Sequence, residues 1–176
     1  GRVLAARFHR ATPLPDWSSG SWLTDPQRSG GLVLDLHIHD TDFVHHAFGT
    51  PQAVTAFAAR NGTDDPVHVL THYTFEDGPL VTAEGGWSVT ETHGFAMGFN
   101  LMCENATITY DSRQSPTLEV YPAGHERFAP DLPPGDGYAR QIAHFARAVR
   151  GLQVPDVICT KDALQSLRTV AAELKS

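Results

Sequence analysis

Polar and apolar residues alternate through much of the first two thirds of the chain. In VHVLTHYTFE, residues 67–76, Val67, Val69, Thr71, Tyr73 and Phe75 fall on one side of an extended backbone, and His68, Leu70, His72, Thr74 and Glu76 on the other. RVLAARFHR (2–10) and QAVTAFAAR (52–60) also read as strands, and EDGPL closes a hairpin into LVTAEGGWSV. FAMGFNLMC, ATITY and TLEVY continue the series, with CEN and DSRQSP as turns. Seven strands, mostly joined as hairpins, predict an antiparallel-rich sheet. The Pro-, Ser- and Trp-rich stretch from Thr12 to Ser29 has neither period and predicts a long irregular connection, a kind of loop that is more often functional than idle.

The tail changes period. Tyr138, Ile142, Phe145 and Val149 recur at helical spacing after the breaker PDLPPGDG. Leu164, Leu167, Ala171 and Leu174 do so after Thr160, which reads as an N-cap with Asp162 in the first turn. The expected fold class is therefore α+β: one domain over residues 1–176, an open sheet of about seven strands with helices packed on one face.

Residues 30–46, GGLVLDLHIHDTDFVHH, fit two periods. As a strand, Asp35, His37 and His39 share a face and give the D-x-H-x-H pattern of metal-dependent hydrolases, which His68 and His72 would supplement. That reading explains only Leu34 to His39, and the chain is short for the β/α barrel that carries such a motif. A helix from Gly31 to about Ala47 accounts for everything up to Gly49. At about 100° per residue, Asp35, His39, Asp42 and His46 then fall within an arc of about 60°. Leu32, Leu36, Phe43 and Ala47 flank this polar stripe on one side, and Leu34 and Ile38 on the other, so the stripe faces a cleft or is satisfied internally. A carboxylate one turn from an imidazole is either a structural pair or the arrangement a general base needs near neutral pH.

Charge and cysteine content narrow the partners. A net charge of -7 with only 13 scattered Lys and Arg disfavours nucleic acid and anionic membranes. No apolar run approaches the roughly 20 residues of a membrane span. Cys103 and Cys159 lie far apart with no C-x-x-C pairing, which predicts neither a disulfide framework nor a thiolate zinc site and fits a reducing cytoplasm. The chain begins at Gly1 on strand-like residues, so an upstream segment is expected to have been removed.

The stretch SGGLVLDLHIHDTDFVHHAFGTPQAVTA resembles the C-terminal domain of the Gfo/Idh/MocA family of NAD(P)-dependent sugar and polyol dehydrogenases, through Gly30, Gly31, Asp35, His39, Asp40, Gly49 and Pro51. The Trp22 and Asp25 spacing before the glycine pair, YARQIAHFARAVRGLQVP and KDALQSLRTV extend the likeness over the whole chain. The resemblance implies a two-domain enzyme whose N-terminal Rossmann domain binds NAD or NADP and carries a catalytic lysine in an E-K-P motif. Neither feature is in these residues; GDGYAR from Gly135 follows a proline-rich loop and reads as a turn into a helix. The chain is thus expected to be the substrate and oligomerisation half, inactive by itself.

Carried over, His39 is the general base acting on a sugar, polyol or related hydroxy compound, and Asp35 orients it. Asp42 and His46 take supporting roles, with Asp42 a candidate substrate contact. Trp22 stands where many members have a Trp-Arg pair near the cofactor, making it a candidate for substrate and cofactor contact; Leu23 replaces the Arg, and Arg28 is the substitute charge. The sheet's outer face, bearing His68, Leu70, Thr74, Leu80 and Thr82, implies a homodimer or tetramer. The alternatives are a non-catalytic assembly or ligand-binding version of the domain and, behind it, the metal-dependent hydrolase.

Overall fold

The alternating segments become the strands of one sheet in a computed structural model that describes residues 1–62, 64–155, 157 and 159–176. The strands are β1 (Val3–Ala11), β2 (Ala53–Arg60), β3 (Pro66–Thr74), β4 (Leu80–Gly86), β5 (Ala96–Cys103), β6 (Ala106–Asp111) and β7 (Leu118–Pro122). Their order is β2-β3-β4-β1-β5-β6-β7. Neighbours are antiparallel except β1 and β4, which run parallel with Phe8 opposite Ala83. The long connection after β1 carries the chain to the sheet edge, and the β2-β3-β4 meander returns it to β1. The fold is α+β, as the periodicities predict.

The two faces of β3 separate as its alternation requires: Val69, Thr71 and Tyr73 are buried, while Leu70 and Thr74 are exposed. Tyr73 joins Ala6, Phe8, Val81 and Ala83 on the inner face, where they pack around Val44 of α2 (Ile38–Phe48). Among the described residues no helix covers the outer face, where Phe57, Leu70, Leu80, Met102 and Tyr121 are exposed.

Asp25 caps the single turn α1 (Pro26–Ser29) by accepting from the Gln27 amide at 3.0 Å. Gly30 then adopts φ 82° and returns its N–H to the Pro26 carbonyl. A Cβ there would run into the Leu34 side chain, so the glycine is needed for both its dihedral and its lack of bulk.

The last two helices are α3 (Gly137–Val149) and α4 (Thr160–Glu173). Asp136 caps α3, so the GDG segment is the turn into a helix that its prolines predict. The N-cap of α4 is Cys159, one residue before the expected Thr160, because Asp162 at the third helical position accepts from the Cys159 amide at 2.9 Å. Their packing departs from the simplest reading of their stripes. Tyr138, Ile142, Phe145 and Val149 of α3 are 68–79% exposed. In α4, Leu164 and Leu167 face outward, as does Leu174 at its C-cap, whereas Ser166, Thr169, Val170 and Glu173 are buried. The reason lies in what α4 meets: the adjoining surface of α2 carries Thr41, Asp42 and His45, which hydrogen-bond to Glu173, Ser166 and Thr169.

Candidate functional site

Residues 31–48 form helix, not strand, which removes the extended D-x-H-x-H geometry on which the hydrolase reading relied. The segment Val33–His37 is a π-turn that runs directly into α2. Such a turn takes an extra residue per revolution and is frequent at functional sites. Its inward face is Val33, Leu36, His37, Asp40, Thr41 and Val44, all buried at helical spacing. The expectation of apolar flanks is corrected here: three polar residues face the core, and Phe43 and Ala47 are exposed.

The polar stripe divides into two pairs. His39 is exposed and lines a cleft, whereas Asp35, one turn earlier, is half-buried and lines neither of the cavities that form it. Burial pushes the Asp35 carboxyl above its ordinary range, and the nearby His39 pulls it partly back. The two side chains are coupled by charge across space and share no hydrogen bond. Asp42 instead accepts from Ser166 Oγ at 2.8 Å, tying α2 to α4. It lines a separate cavity of about 340 Å³ with His45, His46 and Asp162. Trp22 lies in the loop before α1 and Arg28 in the last turn of α1; Arg28 Nη1 donates to the Gly20 carbonyl at 3.3 Å, and neither side chain lines the cleft beside His39.

That cleft consists of two adjoining cavities of about 240 and 830 Å³, which share Arg10, His39, Met97 and Tyr110. The smaller is walled by aromatic rings: Phe99 stacks on Phe43 at 6.1 Å between centroids and on Tyr110 at 5.5 Å. The larger opens toward Leu132, Pro133 and Tyr138 at the start of α3. Arg10 and Asp40 form a fork beside His39, with Nε to Oδ2 at 2.9 Å and Nη2 to Oδ1 at 3.2 Å. Sequence reading gave Arg10 no role. Its signal is present nonetheless, because Arg10 follows Ala6 and Phe8 on the inward face of β1, where an arginine needs a partner.

A second polar group lies deeper. His37 Nε2 approaches Glu173 Oε2 at 3.2 Å, with both side chains 0% exposed. The same nitrogen is 3.1 Å from Thr71 Oγ1, and Thr41 Oγ1 is 2.9 Å from Tyr73 Oη. Burial, with the Glu173 carboxylate adding to it, holds the Tyr73 hydroxyl well above its usual pKa. Gly85 lies directly over the ring, where a Cβ would come within 2.9 Å of His37 Nδ1.

A family model described as the GFO/IDH/MocA C-terminal domain matches residues 1–109. The chain belongs to the Gfo/Idh/MocA family. A 1,5-anhydro-D-fructose reductase from Ensifer adhaerens is 27% identical over 191 residues, an alignment covering 100% of this chain and 54% of that protein. A UDP-N-acetylglucosamine 3-dehydrogenase from Acidithiobacillus ferrooxidans superposes at TM-score 0.73 and 22% identity, over 99% of this chain and 52% of that one. A levoglucosan dehydrogenase in complex with NADH and levoglucosan superposes at TM-score 0.78 and 19% identity, over 100% of this chain and 56% of that one. This Gfo/Idh/MocA domain thus spans about half the length of the relatives it matches. Its described residues do not fit a nicotinamide dinucleotide's phosphates: β1, in the sheet's parallel pair, leads into the irregular loop and not through a glycine-rich turn into a helix. Among the described residues, no helix is long and apolar enough to cross a membrane.

Proposed function

We propose that this chain is the substrate side of an NAD(P)-dependent oxidoreductase acting on a sugar, polyol or related hydroxy compound. The cofactor is held mainly by a Rossmann domain outside these residues. The observation that carries this reading is the exposed His39 imidazole at the junction of two cavities, in a domain of this family. Hydride chemistry belongs to the nicotinamide, and this chain handles the proton. His39 takes it from the substrate hydroxyl during oxidation and returns it during reduction, with the half-buried Asp35 carboxyl one turn away along the helix. The names of the relatives point to carbohydrate substrates.

The test is the nicotinamide absorbance of the full-length protein, with NAD+ or NADP+ and a panel of polyols and sugars that includes levoglucosan, and with the reduced cofactors and 1,5-anhydro-D-fructose. Turnover is expected with at least one pair, and none from the 176-residue chain alone. A folded full-length protein without turnover across the panel would leave the non-catalytic assembly reading standing.

The uncovered sheet face supports association in the same proposal. Phe57, Leu70, Leu80, Met102 and Tyr121 are exposed on it, large apolar side chains of the kind that closed symmetric oligomers bury. Sedimentation of the full-length protein at micromolar concentration should give a dimer or tetramer, and Leu70→Glu with Leu80→Glu should shift it toward monomer. A wild-type monomer would end this part of the proposal.

A further inference from the structure

Arg10 is built like a binding residue and is left half used. Its side chain is 18% exposed and that of Asp40 7%, so the fork between them is largely withdrawn from water. A guanidinium has five N–H donors. Two of them go to Asp40, and Nη1 gives one to Met97 Sδ at 3.3 Å. A thioether is a weak acceptor, so an edge of a rigid, partly dehydrated cation faces the cleft without a strong partner. The fork cannot swing away to find one, because both Asp40 oxygens hold it and Asp40 is itself fixed on the inward side of α2, next in sequence to His39.

We propose that Arg10 binds a second oxygen of the substrate, apart from the hydroxyl whose proton His39 takes, and that this contact sets specificity. The inference rests on the oxidoreductase reading above and adds the chemistry of the ligand. Asp40 cancels the guanidinium charge at close range, so the available N–H matches an uncharged hydroxyl or ring oxygen better than a carboxylate or phosphate. The adjoining wall of Phe43, Phe99 and Tyr110 offers flat apolar area to the C–H face of a ring. Together they describe a neutral cyclic polyol or sugar, gripped by one hydroxyl and resting on aromatic rings. A site built to hydrogen-bond a substrate oxygen discriminates strongly against an analogue that lacks it, because its own buried donor is then left unpaired.

The experiment uses the full-length protein, the panel compound with the highest kcat/KM, and the monodeoxy analogues of that compound. Wild type is expected to prefer the parent over one particular deoxy analogue by about 100-fold in kcat/KM. In the double variant Arg10→Met/Asp40→Leu, which removes both charges and leaves neither side chain with an unpaired polar group, that preference is expected to fall at least tenfold, chiefly through a higher KM for the parent. His39→Asn, run beside it, is expected to lower kcat on parent and analogue alike. An unchanged preference in the folded double variant, with His39→Asn impaired, overturns the role of Arg10 and leaves the oxidoreductase reading in place. Wild-type kcat in His39→Asn removes His39 as the base and with it the placement of the substrate beside Arg10, overturning the proposal while the oxidoreductase reading stands; no turnover by wild type across the panel overturns both. If circular dichroism shows the double variant unfolded, Arg10→Lys decides: it keeps the charge and loses the fork, a raised KM for the parent supports the proposal, and an unchanged KM overturns it.

Discussion

Replacing His39 by Asn in the full-length protein should lower kcat by about 10²- to 10⁴-fold, the range by which a positioned general base accelerates proton transfer. Asn preserves the polarity of an exposed helix position, so stability should move by no more than about 0.5 kcal/mol and the loss will be chemical. The pH profile separates this role from a positioning one. A step that needs a general base gives kcat/KM a limb falling toward acid, and any such limb in the wild type should vanish in the variant. Asp35→Asn should cost less, about tenfold, since Asp35 influences His39 by charge across space and not by a direct hydrogen bond. Steady-state kinetics across pH decide the matter, and an acid limb that persists in His39→Asn assigns the proton to another group.

Glu173→Ala should be among the most damaging substitutions to stability, by about 3–5 kcal/mol, the cost of removing one side of a buried polar contact and leaving the other unpaired. Its carboxylate is 0% exposed and meets His37 and Thr41, neither of which can reach water when it is removed. Tyr73→Phe, which deletes the 2.9 Å contact with Thr41 and leaves the ring in place, should cost only about 1 kcal/mol. Removing both ends of the contact in His37→Leu/Glu173→Leu should be milder than the single Glu173 variant, because no buried ionisable side chain is then left without its partner. Shifts in the urea midpoint at unchanged slope measure all three. A Glu173→Ala loss no larger than that of Tyr73→Phe would mean that the buried contact contributes nothing beyond packing.

Strand content and the helix over 31–48 were legible because both depend on local periods: two residues for a pleated strand, close to four for a helix. In β3 the period also identified the inward residues, since a strand has only two faces and the apolar one must be covered. The same logic failed for α4. Its leucines mark a stripe, but a stripe states only that some apolar face exists, and here the neighbouring helix offers hydroxyl, carboxylate and imidazole groups that select Ser166, Thr169 and Glu173 instead. The π-turn at Val33–His37 was invisible, because one extra residue in a revolution leaves no compositional trace.

The candidate site divides the same way. Asp35 and His39 are four residues apart on one helix, so the chain's own winding puts them side by side, and the family resemblance in GGLVLDLHIHD marks them. Arg10 and Asp40 are separated by 30 residues, and His37 and Glu173 by far more; nothing local brings them together. By itself the sequence determined which elements form and which residues sit within one turn of each other, since helix and strand geometry act over a few residues. Only the tertiary structure decided which side chains meet across elements, because that depends on the sheet register and on where α2 and α4 come to rest against it, and buried charges settle only where a partner from elsewhere in the chain is already waiting.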